Sequence, residues 1–362
     1  MYIGIPKESR PFEYRVGLSP AGVEILSQNG HQIFVEHDAG VGAGFSDREY
    51  EKSGARIAYS AEEVFGRADL LLKISRPLKN ELEWMNEGTI LAGLLHLASS
   101  SQDQIDLLLE KKITALAYEQ ITDASTGALS VLRPFSLICG AMVPQIAARL
   151  LQNNWGGKGI LLSGLPGVPS AEVVIIGGGV VGLAATQAML GAGAQVTVID
   201  KNLSVLEKIS ERFPRAVTMT STKRNIERAT AFADVVIGAV LISGQRAPVV
   251  VSREMVRAMK PRSIIIDVSI DQGGCVETSR PTTHEHPTFV DEGMVHYCVP
   301  NIPGVVARTA SHVFLNAALP YILEVANNGI DVVIKQNPAI ELAINTHAGK
   351  LRNLIRLNAK EE

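Results

Sequence analysis

Short apolar runs punctuate this chain, and stretches of helical period fill most of the gaps between them. Runs at Tyr2–Pro6, Gln32–Glu36, Leu70–Leu72, Thr89–Leu95 and Thr114–Tyr118 predict strands, while Pro20–Asn29 and Gln102–Lys111 predict helices. Strands that are apolar throughout, rather than alternating, are those covered on both faces. The pattern therefore predicts parallel strands with helices on either side. From about Arg133 to Gln152 a longer apolar-periodic stretch predicts a helix leading into the glycine-rich turn NNWGGKG. Strands resume at QVTVID, ADVVIGAVL, RSIIIDVSIDQGG and MVHYCVPNIPG, each ending on polar or glycine punctuation. Two helical patterns, Ser311–Asn327 and Pro338–Leu357, close the chain, with Asn-Asn-Gly between them as a helix stop.

The sharpest pattern is AEVVIIGGGVVGLAATQAMLGAGAQVTVID, Ala171 to Asp200. It carries no charge between Glu172 and Asp200, as a membrane helix would. Its interior glycines and its two strand-like runs argue instead for buried strand, turn, helix and strand. The spacing G-x-G-x-x-G falls on Gly177, Gly179 and Gly182. Glycine at the first position permits a tight turn, at the second lets backbone approach a pyrophosphate, and at the third lets helix and strand pack closely. The helix that starts at Val180 and Val181 offers free N–H groups and a positive dipole end to phosphates. Asp200 closes the second strand, where a carboxylate accepts hydrogen bonds from ribose hydroxyls and repels the 2′-phosphate of NADP. NAD is thus the expected cofactor, an inference softened by the cation of Lys201 next door.

Length and composition narrow the class. A chain of 362 residues exceeds one comfortable core and implies two domains. A net charge of −3 argues against nucleic acid, and no basic amphipathic segment points to a membrane surface. The N-terminus runs straight into a strand pattern with no signal peptide, so a cytoplasmic location is expected. Cys139, Cys275 and Cys298 are odd in number and without paired metal spacing, which fits reduced, buried thiols and no metal site.

Several apolar runs end on a polar residue: LLLK on Lys73, ILAGLLH on His96 and ALAYE on Glu119. Ligands of open α/β sheets bind beyond the carboxyl ends of strands, so parallel strands would point Lys73 and His96 into one crevice. Histidine suits general acid–base work near neutral pH, although a core histidine reads the same way. Arg15, in EYRVGLSP, has the planar fork that grips a carboxylate, although a surface arginine is an equally simple reading. Asp271 sits before Gln272-Gly273-Gly274, a glycine-hinged loop of the kind that carries catalytic groups, while Asp267 at the strand end is as readily structural.

Taken together, GIPKES, E-x-RVGLSPAGV, DLLLK, LLHLA, AYE, GLPGVPSAEVVIIGGG, DVVIGAVL, DVSIDQGGC, SRPTTH and YCVPNIPG occur in an order that resembles the bacterial alanine dehydrogenase family. The NAD-binding component of proton-translocating transhydrogenase is a relative of that family. The resemblance spans nearly the whole chain. It implies two doubly wound α/β domains with a cleft between them: a Rossmann NAD-binding domain over 131–306, and a discontinuous substrate domain over 1–130 and 307–362. It implies reversible oxidative deamination of L-alanine to pyruvate and ammonium, and a hexamer. Carried over by position, Arg15 and Lys73 hold the substrate carboxylate, His96 is the acid–base group, and Asp271 activates water. Ser136 touches the pyrophosphate, Asp200 the ribose and Ser221 the adenine side. Val240, Leu241, Val268 and Asn301 line the nicotinamide, with Arg280 and Asp271 also on the cofactor side.

The chain departs from the family pattern in places. Ile74-Ser75-Arg76-Pro77 stands where the family has VKEP, Leu137 to Ala141 lose a Glu and an Arg, and Pro300, Ile302 and Ala307 are substituted. These changes keep three other readings open: a dehydrogenase of a larger amino or imino acid, a transhydrogenase-type subunit, and a silent NAD-binding module.

Overall fold

The structure, a computed structural model, describes residues 1–123, 125–242 and 246–354. The chain divides into two compact units, one of Met1–Phe135 with the segment from Pro303 onward, the other of Ser136–Ile302.

The first unit is built on strands β1 (Tyr2–Ile5), β2 (Gln32–Glu36), β3 (Ala55–Ala58), β4 (Leu70–Ser75), β5 (Ile90–Leu94) and β6 (Thr114–Ala117). They lie parallel in the order β3-β2-β1-β4-β5-β6. The order reverses between β1 and β4, the topological switch point at which open α/β sheets bind ligands. β5 and β6 are buried at every position, as their unbroken apolar runs predict. β4 runs to Ser75, past the Lys73 end expected from LLLK. β3 was not legible as a strand, because ARIA is short and puts Arg56 at its second position.

The second unit contains β7 (Glu172–Ile176), β8 (Gln195–Asp200), β9 (Val217–Thr220), β10 (Val235–Gly238), β11 (Ile264–Asp267), β12 (Thr288–Asp291) and β13 (Met294–Tyr297). Their order is β12-β13-β11-β10-β7-β8-β9, with every pair parallel except β12–β13. Alternate residues feed opposite faces: Val173 and Ile175 join one apolar cluster with Val196, Val235 and Ile264, while Val174 and Ile176 join another with Ile199, Val236 and Ile265. A strand that serves two cores must be apolar at both parities, which accounts for the unbroken run VVII.

The tail differs from expectation. The helix Ala307–Asn328 covers the Ser311–Asn327 pattern, but the helix expected over Pro338–Leu357 stops at Ala343. The chain then forms a hairpin, β14 (Ile344–His347) and β15 (Lys350–Leu351), and β14 pairs antiparallel with β6. Ile344 and Thr346 are β-branched, and Ala348 and Gly349 take the left-handed turn the hairpin needs. The last residues of that expected helix, 355–357, lie outside the described residues. No helix among the described residues is long and apolar enough to cross a membrane.

Candidate active site

In the second unit the glycines are fixed by packing. Gly177 has φ 102°, and a Cβ there would lie 2.3 Å from the Ala239 carbonyl oxygen. At Gly182 a Cβ would lie 1.8 Å from the Gly177 carbonyl oxygen, so a side chain would push the helix Val180–Gly191 off the turn. At Gly179 a Cβ would meet nothing within 4 Å. The middle glycine therefore leaves open space against bare backbone at a helix N-terminus, which fits an approaching pyrophosphate.

Asp200, the last residue of β8, accepts hydrogen bonds from the Gly178 N–H (2.7 Å) and the Asn202 N–H (2.8 Å). Ser221 donates its N–H to the Asp200 carbonyl at 2.9 Å. The carboxylate is thus held beside the glycine turn and keeps lone pairs for a hydroxyl partner. The other expected residues sort by position. Val240 and Leu241 follow β10, and Val268 and Asp271 follow β11 in the 3₁₀ turn Val268–Gln272. Asn301, with φ 58°, lies in the segment after β13. All belong to the carboxyl edge of the one parallel set. Ser136 lies instead on the helix Leu132–Leu150, and Arg280 stacks on the Phe289 ring at 4.2 Å.

The loop carrying Asp271 is held by Asp267. That buried carboxylate accepts from the Ser269, Cys275 and Val276 N–H groups at 3.0, 2.9 and 3.1 Å. Burial raises its pKa, with the hydrogen bonds opposing. Asp267 is thus structural, and it aims Asp271 into the exposed part of the turn. Cys275 is fully buried against it, and burial and the Asp267 charge push the thiol up, so it is no nucleophile.

In the first unit, His96 follows β5 and faces solvent. Its φ of 44° places a non-glycine residue in the left-handed region, and its side chain is 57% exposed. Glu119, after β6, accepts from the Leu95 N–H (3.0 Å) and the His96 N–H (2.6 Å), and lies 3.9 Å from the His96 Nδ1. This largely covered acid holds the strained turn through its two backbone hydrogen bonds.

Arg15 is buried and forked onto Glu13, with Nε–Oε1 at 2.7 Å and Nη2–Oε2 at 2.5 Å, and its guanidinium lies over the Phe135 ring. Lys73 is where the structure departs from the strand-end reading. It sits inside β4 with no exposed surface, 3.3 Å from Glu8 Oε2 and 3.4 Å from Glu81 Oε1. Glu8 also accepts from the Ile74 N–H (2.6 Å) and the Ser75 hydroxyl, and Glu81 from the Ser9 hydroxyl and the Leu78 N–H. Lys73 and His96 therefore do not open onto one crevice: one ammonium is enclosed by two acids, the other side chain faces solvent.

Local sequence pattern gives no sign of a role for Glu8, Glu13 or Glu81, and the family pattern none for Arg76. Glu81, in NELEW, reads as an exposed helix charge until the fold buries it. Arg76, directly after β4, donates from Nη1 to the His96 carbonyl (3.3 Å) and to the Ser99 and Ser100 hydroxyls (3.1 Å each). Its signal was the replacement of the family's KEP by Ser75-Arg76-Pro77.

Two doubly wound sheets, one opening on a glycine turn built for a pyrophosphate, define a dinucleotide-binding α/β protein. The chain belongs to the alanine dehydrogenase/PNT family: the family's N-terminal domain matches residues 4–139 and its C-terminal domain residues 143–354. It is 46% identical over 355 residues to an alanine dehydrogenase of Methanococcus maripaludis, covering 97% of this chain and 94% of that one. A solved L-alanine dehydrogenase superposes with a TM-score of 0.93 at 41% identity, covering 97% and 96% of the two chains. A transhydrogenase from Sinorhizobium meliloti superposes with 0.82 at 26% identity, covering 97% and 98%.

Proposed function

We propose that this protein catalyses the reversible oxidative deamination of L-alanine to pyruvate and ammonium with NAD. The observation that carries the reading is likeness to alanine dehydrogenase along almost the entire chain, in a protein that keeps Arg15, Lys73, His96 and Asp271. In this reading the second unit binds the cofactor, through Gly177, Gly179, the helix start at Val180 and Val181, Gly182, Asp200 and Ser221. Ser136, Val240, Leu241, Val268, Arg280 and Asn301 complete the contacts. NAD, when bound, supplies the hydride acceptor.

The chain's own groups do the rest. The substrate's α C–H must lose a hydride and its ammonium a proton, giving an iminium; water then adds to the iminium carbon with loss of a proton, the nitrogen is protonated, and ammonia leaves as the hydroxyl proton departs and the carbonyl forms. His96 takes and returns protons, a task suited to an exposed imidazole beside the Glu119 carboxylate. Asp271 accepts a proton from the attacking water. Arg15 and Lys73 are the expected carboxylate-holding cations, and each must first loosen the acid that engages it.

Asp200 disfavours a 2′-phosphate, which supports NAD over NADP. A homo-hexamer is the expected assembly. The test is absorbance at 340 nm with purified protein, NAD and L-alanine at alkaline pH, with glycine, L-serine and D-alanine in parallel. NADH formation confined to L-alanine is the expected result. Silence with all four, despite NADH binding, would refute the reading.

A further inference from the structure

We propose that Arg76 is a positioning residue for His96: it clamps the carbonyl side of the His96 turn, opposite the Glu119 carboxylate that holds the amide side. This inference rests on the amino-acid dehydrogenase reading and adds to it a residue that the family pattern does not supply.

The turn needs holding. His96 has φ 44° and ψ 42°, a left-handed conformation that a residue with a side chain keeps only where its surroundings enforce it. Its side chain is 57% exposed, so the imidazole is aimed by its backbone more than by packing against the ring. Glu119 accepts the Leu95 and His96 N–H groups on one side. On the other, the His96 carbonyl accepts from the Ser99 N–H (3.1 Å), the Ser99 hydroxyl (3.0 Å) and Arg76 Nη1 (3.3 Å). The two Ser99 bonds lie within the turn and travel with it. Of these three donors, Arg76 is the one that ties the turn to another element, since it directly follows β4.

The guanidinium is committed to that task. Among the described residues every hydrogen bond it makes comes from Nη1 and ends on this turn, at the His96 carbonyl and at the Ser99 and Ser100 hydroxyls. A charged donor makes such bonds stronger than a neutral one would. Burial and the Arg10 guanidinium push the Arg76 pKa down, while the Glu119 carboxylate pushes it up. The acid on one side of the turn therefore favours the cation on the other. Arg76 is itself anchored: the Arg10 Nε–H donates to its carbonyl at 2.9 Å, and Glu8 accepts the Ile74 N–H at 2.6 Å to fix the end of β4. Pro77 disfavours a helical backbone at the residue before it. The glutamate of the family's VKEP carries acceptors only and could make none of these bonds, so the clamp is this chain's own.

The experiment compares wild type with Arg76→Gln and Arg76→Lys. Initial rates with L-alanine give kcat and KM, and fluorescence titration with NADH counts folded sites. Amide hydrogen exchange followed by mass spectrometry reports on the segment Leu94–Ser101. A misaimed acid–base group predicts kcat per site lowered about 10- to 100-fold in Arg76→Gln, with KM within about twofold and partial recovery in Arg76→Lys. Exchange in Leu94–Ser101 should quicken at least about tenfold, with the rest of the first unit unchanged. A raised KM at wild-type kcat would make Arg76 a substrate contact and overturn the proposal. Unchanged kcat overturns it, as does exchange that is unchanged or faster throughout the unit. Should wild type leave L-alanine unoxidised, the proposed function fails separately. The clamp is then decided by the exchange rates: faster exchange confined to Leu94–Ser101 supports it, and equal exchange overturns it.

Discussion

Lys73→Met separates a structural lysine from a substrate-binding one. The substitution keeps the stem's length and removes the charge from a site with no exposed surface. Two carboxylates, Glu8 and Glu81, whose side chains are 1% and 4% exposed, then lose their shared cation. Removing one partner of a buried ion pair costs about 3–5 kcal/mol. The lower end applies here, because Glu8 keeps the Ile74 N–H and Glu81 keeps the Ser9 hydroxyl and the Leu78 N–H. A loss of about 3 kcal/mol in a unit of this size lowers its melting temperature by roughly 6–12 °C. Thermal and urea unfolding followed by circular dichroism measure it. Lys112→Met, which removes an ion pair to Glu87 between side chains 59% and 64% exposed, serves as the control and should leave the midpoint in place. Adding Glu81→Gln to Lys73→Met should recover part of the loss, since the second change removes one stranded charge. A Lys73→Met protein of wild-type stability would refute the reasoning.

Further outcomes are expected elsewhere. His96→Ala and Asp271→Ala should each lower kcat by at least about 100-fold with NADH binding nearly intact; wild-type turnover in either variant removes that residue from the mechanism. Asp200→Asn keeps an acceptor for the Gly178 amide while removing the charge, and should shift the ratio of kcat/KM for NAD over NADP by about tenfold toward NADP. An unchanged ratio discards the ribose assignment. His296 is buried with its pKa lowered by burial, its Nδ1 beside the Met294 carbonyl and its Nε2 2.7 Å from the Thr278 hydroxyl. Below about pH 6.5 the unfolded chain binds a proton that the folded one resists, so stability falls on acidification by up to about 1.4 kcal/mol per pH unit from this group. The urea midpoint of His296→Gln should fall less than wild type between pH 6.5 and 5, and parallel profiles would exclude the histidine.

The first unit shows best how far sequence carries. The strand runs at Gln32–Glu36 and Thr114–Tyr118 were readable because burial on both faces demands continuous apolar residues, a local property. The glycine turn was readable for the same kind of reason: Gly177 and Gly182 answer to contacts within one βαβ unit, so spacing alone reports them. Asp200 sits beside that turn and inherits its legibility. ARIA and VTMT gave little signal because short strands near a sheet edge need not be apolar.

What the amino-acid order determined by itself was the alternation of strand and helix, the dinucleotide turn and the acid that follows it, since each depends on neighbours a few residues away. Tertiary structure decided the fates of the charges. Lys73 became an enclosed ammonium because the fold brings Glu8 and Glu81 to it from separate elements, and Arg15 was engaged by Glu13 in a buried place that spacing does not reveal. Whether a charge is buried and neutralised depends on contacts a few ångströms long and on the packing around them, whether the partner is near in the chain, as Glu13 is to Arg15, or far from it, as Glu8 is from Lys73, and local sequence pattern encodes neither.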